Sequence, residues 1–298
     1  MSSNTLNREL GLQALTKIDE TSLKLQNQGC DREACDCLLL GLVKRREIFG
    51  AKSEELVLAC REVGDAFNCI ALKYINASNF SVALEFLKQA QKLVQNDFHG
   101  RKVTYQNFAA LYQKKGEPRI ALRYLKQLLA IQTECCDDAD KRANSHLNIC
   151  ASLSQLGKHE SALRHAQVAI RIIENQIRGS ADTEEGSEDE NHTQLNTNGT
   201  MVMHSIDEDE DESEVHSIEE PDFSGANARF VEALAIAYYN EGVEYEHLGD
   251  IHRSYHSYRQ GSEMASSLGC HHAISKAFKT SSQAVHQLIV NNGIGRKM

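Results

Sequence analysis

Six consecutive carboxylates, Asp207 to Glu212, stand inside the stretch SIDEDEDESE at residues 205–214. Alternating Asp207, Asp209 and Asp211 is how an EF-hand loop begins, because oxygens on alternate residues can close on one hard cation. Such a loop also needs Gly at its sixth place and Glu at its twelfth, and those places hold Glu212 and Ile218. Only weak, nonspecific cation association is expected there. Thiol chemistry is the next candidate, since the chain has nine cysteines. CDREACDC, with Cys30, Cys35 and Cys37, and the adjacent pair Cys135–Cys136 both lack the paired C-x-x-C spacing that lets two thiolates hold one ion. His252 and His256, at i and i+4, could present two ring nitrogens together, but no further ligand completes a metal motif beside them. Gly-rich phosphate loops, G-x-S-x-G and H-E-x-x-H are all missing. The expectation is a protein with no enzymatic chemistry, no metal and no cofactor.

The elements that carry these residues follow from composition. The 298 residues include no Trp and only 2 Pro, and aromatics make up 6%. That balance favours long uninterrupted helices over strands. No stretch approaches the ~18 apolar residues of a membrane span, and MSSNTLNRELGLQ has no basic start leading into an apolar run. Reduced thiols and the lack of a secretory signal give a cytoplasmic expectation. The formal charge of −10 is unevenly placed. Residues 179–222 hold 16 Asp or Glu and no Lys or Arg, leaving 32 basic against 26 acidic residues elsewhere, a net of +6. Neither that balance nor any basic aromatic platform indicates nucleic-acid binding.

Self-comparison shows a repeat. TYQNFAALYQKKGEPRIALRYLKQLLAIQ (104–132) and NSHLNICASLSQLGKHESALRHAQVAIRI (144–172) each read as a helix, a Gly turn at Gly116 or Gly157, and a second helix with Ala in its first turn. Ala83, Ala121 and Ala162 mark that point at spacings of 38 and 41 residues. AYYNEGVEYEHLGDIHRSYHSYRQGSEMA (237–265) falls in phase through Gly242, Tyr245 and Gly249, with Ser254 in the place of Ala. Small residues at Ala71, Ala109, Cys150 and Gly242 let the first helix of each pair approach the second, while Tyr74, Tyr112, Leu153 and Tyr245 fill the space between pairs. Each pair alone buries too little surface, so the pairs must stack.

This pattern resembles the tetratricopeptide repeat family over about residues 54–178 and 228–267. The signature Trp is replaced by Phe67, Tyr105, His146 and Tyr238, and the closing Pro is missing. The long spacings are similar to those of kinesin light chains. The implied fold is an all-α helical-hairpin solenoid with a disordered acidic insertion. Its expected parts are a degenerate hairpin over 1–50, three repeats over 53–178, the insertion over 179–226, a fourth repeat over 227–267 and a capping helix over 270–292.

What such a solenoid offers is a concave face lined by the first helix of each pair. Asn107, Asn148 and Asn240 recur there in phase, with Asn68 beside the equivalent place in the first repeat. By resemblance to peptide-binding members they are assigned to contact with an extended peptide, since an amide both donates to and accepts from a backbone. Gln106, Gln113, Gln155 and Tyr239 are expected as neighbours on that surface. The family's carboxylate clamp for chaperone tails is absent, its places holding Asn68, Leu72, Asn144 and Asn148, so a chaperone co-factor is the weakest reading. The resulting expectation is a protein–protein interaction adaptor binding a linear peptide or helix. The alternative is a structural component of a cytoskeletal or ciliary assembly, contacted through its convex face and helix ends. The insertion reads as a solvated linker or as an internal ligand. A flexible segment of about 50 residues reaches roughly 40 Å, so residues 205–223 could occupy the groove, as the acidic segment of kinesin light chains implies. Acidic residues three places after Ser187, Ser205 and Ser217 mark them as phosphorylation candidates.

Overall fold

A computed structural model describes residues 3–136, 138–184 and 228–267, with 278, 280, 281, 283–285 and 287 beyond them. The described residues are helical, with short turns between, and form five antiparallel pairs. These are α1 (Ser3–Asn27) with α2 (Asp31–Phe49), α3 (Glu54–Asn76) with α4 (Phe80–Leu93), α5 (Phe98–Lys114) with α6 (Pro118–Glu134), α7 (Ala139–Gln155) with α8 (His159–Glu184), and α9 (Ala228–His247) with α10 (Ile251–Ser267). Described residues from 278 to 287 are helical, and Phe278 and Val285 among them are buried against α9 and α10. The insertion expected over 179–226 meets the structure only at its start, where α8 runs on to Glu184. Residues 185–227, with Ser187, Ser205, Ser217 and the 205–223 segment, lie outside the described residues.

Local chemistry sets where the helices start and stop. Ser53 caps α3 by accepting from the Leu56 amide at 3.2 Å, and Asp97 caps α5 by accepting from the Gly100 amide at 2.8 Å. Pro118 sits in the first turn of α6, where its missing N–H costs nothing. Between the helices of each repeat the chain turns through one left-handed residue: Ser78, Gly116, Gly157 and Gly249, at φ of 58°, 74°, 68° and 81°. One residue later, the amides of Asn79, Glu117, Lys158 and Asp250 return to the carbonyls of Tyr74, Tyr112, Leu153 and Tyr245. Four identical turns thus lock four repeats into one phase.

That phase carries the packing. Seven residues before each turn, Ala71, Ala109, Cys150 and Gly242 are all buried, and so are Ala83, Ala121, Ala162 and Ser254 on the facing helices. At Gly242 no side chain fits, because an added Cβ would lie 2.7 Å from the ring of Tyr258. Where the family has Trp, Phe67 packs against Phe86 and is fully buried, Tyr238 is buried, and Tyr105 and His146 are half-buried. At the amino-terminal end, Gly11 sits against Ile48 and Gly41 against Ile18, while Arg45 pairs with Asp19 at 2.7 Å.

Candidate functional site

Consecutive first helices do not all meet in the same way. Across the first two repeats, α3 packs directly on α5. Asn68 Nδ2 donates to Thr104 Oγ1 at 3.0 Å, and Asn107 Nδ2 donates to the carbonyl and side-chain oxygens of Asn68 at 3.4 and 3.3 Å. Thr104 passes its own proton to the Gly100 carbonyl at 2.8 Å. This polar seam is shut, with Asn68 only 2% exposed and Asn107 8%. Asn68 and Asn107, two of the four asparagines expected to contact peptide, therefore join repeat to repeat. A buried amide leaves the interior only by breaking these bonds, which corrects their assignment to the groove surface.

The next junction is open. α6 has 17 residues where α4 has 14, which accounts for the longer 41-residue spacing. A cleft of about 370 Å³ lies between α5 and α7. Its floor is α6, through the buried Leu125, Leu128 and Gln132. Gln106, Ala110 and Gln113 line it from α5, and Asn144, Ser145 and Asn148 from α7. One end is bridged: Gln113 Nε2 donates to Ser152 Oγ at 3.3 Å and lies 3.5 Å from the Asn148 carbonyl. His99, Lys102 and Lys141 line it from the first halves of α5 and α7. Lys141 pairs with Asp138 at 2.7 Å, and that ammonium holds the Asp138 carboxyl below its ordinary range. The cleft thus offers an apolar floor, amide walls and two ammonium groups.

Of the residues read from sequence, Gln106, Gln113 and Asn148 come together here. Asn148 is exposed, its Nδ2 bonded to the Asn144 carbonyl at 3.0 Å. Gln155 is exposed at the end of α7 and Asn240 half-buried on α9, and neither lines this cleft. Tyr239 faces the other way. Its half-buried ring packs 5.5 Å from Tyr258 and edge-on at 5.4 Å from Phe278, against the carboxy-terminal core, and does not line the cleft. The cleft also includes Gln132, which sequence reading missed. It belongs to a second helix, and only the 41-residue spacing hinted that this junction differs.

Elsewhere the titratable groups couple repeats together. His146 and His165 place their Nδ1 atoms 2.8 Å apart, and burial, then His165 and Arg142, push His146 down to about 4. Side-chain bonds join α8 to α9. His159 Nδ1 lies 2.8 Å from Oε2 of the buried Glu244, Gln167 Nε2 donates to Tyr245 Oη at 3.0 Å, and Tyr238 Oη donates to Glu174 at 2.7 Å. Among the described residues no group of three or more His, Cys, Asp or Glu could hold a metal ion, and no helix is long and apolar enough to cross a membrane.

Comparison with known proteins agrees with this register. The tetratricopeptide repeat family model matches residues 103–175, the stretch that runs from α5 into α8 and forms both walls of the cleft. No curated protein matches the chain in sequence. Among solved structures, BtubC (BKLC) from P. vanneervenii superposes with a TM-score of 0.51 at 11% identity, over 91% of this chain and 94% of that one. A signal transduction ATPase with numerous domains from Pyrococcus horikoshii, carrying a tetratricopeptide repeat sensor, gives 0.48 at 13% identity, over 95% of this chain and 37% of that one. Nearly identical TPR-like repeats of a Podosopora anserina kinesin light chain give 0.44 at 13%, over 86% and 97%. At these identities the likeness is one of fold alone. Residues 103–175 match the tetratricopeptide repeat and are set in an all-α hairpin solenoid whose turns keep one register, and repeats of this kind are protein–protein interaction scaffolds.

Proposed function

We propose that this protein is a non-enzymatic adaptor that holds an extended segment of a protein partner in the cleft between α5 and α7. The observation that carries the reading is the make-up of that cleft. Four amide side chains, Gln106, Gln113, Asn144 and Asn148, border a floor of Leu125 and Leu128. Amides can satisfy a peptide's N–H and C=O groups in either direction, and the leucines take an apolar side chain. Lys102 and Lys141 favour a carboxylate near one end. The test is an affinity pull-down from cell extract comparing wild type with Gln106→Ala/Asn144→Ala/Asn148→Ala, after circular dichroism shows both folded. Partners lost with the triple variant support the cleft, and partners retained in full sink it. A second reading, a structural component gripped through the solenoid's end, is favoured by Leu23, Leu40 and Val43, more than half exposed on the terminal hairpin. Retention of all partners by the triple variant, with loss on Leu40→Lys/Val43→Lys, would move that reading ahead.

A further inference from the structure

One buried group in the cleft is left without a partner. Gln132 is 5% exposed. Its Nε2 donates to the Lys141 carbonyl at 3.4 Å, whereas its Oε1 meets no donor and is shielded from solvent. Reversing the amide would set Oε1 against the Lys141 carbonyl oxygen, two acceptors face to face, so the unsatisfied atom must be the oxygen. An acceptor held in this way costs free energy in the empty protein. The side chain lines the cleft beside Leu125 and Leu128, and the torsion that aims its amide is soft. A guest can therefore bring the missing donor within reach.

The surroundings narrow what that donor is. Lys102 and the Asp138-paired Lys141 line the same cleft, so a cationic Lys or Arg of a partner meets ammonium groups there and no carboxylate among the lining side chains. A carboxylate carries no proton to give. Every residue but Pro also offers a backbone N–H, so a preference at one position requires an uncharged side chain with an apolar stem and an N–H or O–H at its tip. We propose that Gln132 sets the specificity of the cleft, its Oε1 accepting a hydrogen bond from a carboxamide or hydroxyl side chain of the bound peptide. This rests on the peptide-binding reading above and adds a preference at one position of the ligand.

The probe is a phage-displayed library of random dodecapeptides panned on the full chain, with Gln132→Met and Gln106→Ala/Asn148→Ala panned in parallel. On wild type, the enriched peptides should share Asn, Gln, Ser or Thr at one fixed position. Gln132→Met, which keeps the volume and removes the acceptor, should lose that preference and bind the wild-type consensus about tenfold more weakly. It should also raise the thermal midpoint, because the shielded acceptor is gone. A merely structural Gln132 would not move affinity and stability in opposite directions. Gln132→Glu supplies a second arm, since its carboxylate should draw Lys or Arg to the same position. An unchanged consensus on Gln132→Met, with binding lost on Gln106→Ala/Asn148→Ala, overturns the role of Gln132 and leaves the cleft standing. The same peptides on all variants, or no enrichment on wild type, overturns both.

Discussion

Acidifying the protein from about pH 7.5 to about pH 4.5 should unstitch the third repeat first, because His146 and His165 hold each other only while one ring is neutral. Their Nδ1 atoms stand 2.8 Å apart, so one N–H must donate to the other's lone pair, and two imidazolium rings would repel. Burial lowers both, and His146 lies at about 4 against an ordinary 6.5. Below about pH 6.5 the unfolded chain takes up a proton that the folded site refuses until about pH 4. The site's full stability is therefore present above pH 6.5 and is lost as the pH falls toward 4. A drop of this size is worth roughly 3 kcal/mol at 1.36 kcal/mol per unit. The site is only half-buried, and solvent screening reduces that to about 1–2 kcal/mol. Urea unfolding followed by far-UV circular dichroism, at both pH values, measures the effect on wild type and on His146→Leu/His165→Leu. Wild type should lose about 1–2 kcal/mol more than the double variant over this range. Equal losses would refute the reasoning, as would a His146 titration near 6.5 by NMR.

Four further outcomes are expected. Gly242→Ala drives a Cβ to within 2.7 Å of the Tyr258 ring, which is buried and held through its hydroxyl by Glu246, so overpacking should cost about 1–3 kcal/mol in a denaturant titration. Asn68→Ala strips the α3–α5 seam of its centre, taking a donor from Thr104 Oγ1 and the side-chain acceptor from Asn107. It should cost about 1–3 kcal/mol of stability while leaving capture of a cleft-bound peptide unchanged in the pull-down. Glu244→Ala removes the buried partner of His159 and should lower the thermal midpoint by several degrees, whereas Glu244→Gln, which keeps an acceptor, should lower it less. Lys102→Gln/Lys141→Gln should weaken binding of an acidic peptide and flatten its salt dependence, read by titrating affinity against ionic strength.

Much of the architecture was legible because it depends on contacts close in sequence. A left-handed turn residue needs Gly, and Gly116, Gly157 and Gly249 stand where the backbone has positive φ. Seven places earlier, close helix approach needs a small side chain, and Ala71, Ala109, Cys150 and Gly242 supply it. Ser78 takes the same turn conformation as a non-glycine, which is why the first repeat was visible through Ala71, Tyr74 and Ala83 and not through a Gly turn. The candidate site was legible only in part. Asn107 and Asn148 occupy the same position of their repeats, nine residues before the turn, yet one is buried in a seam and the other lines an open cleft.

The chain's own order of residues determined the helix pairs, their caps, their turns and the phase in which they stack, since each rests on hydrogen bonds and steric limits spanning a few residues. How far apart neighbouring first helices stand was decided only in three dimensions. That spacing follows from the length of the intervening second helix and from which side chains meet across the gap. α3 and α5 are drawn shut by the Asn68–Thr104 bond, while α5 and α7 stand apart over α6 and Gln132 Oε1 is left without a donor. Repeat phase tells which way a side chain points from its own helix. What stands opposite it is set by the neighbouring repeat, and so a recurring asparagine can be mortar at one junction and binding surface at the next.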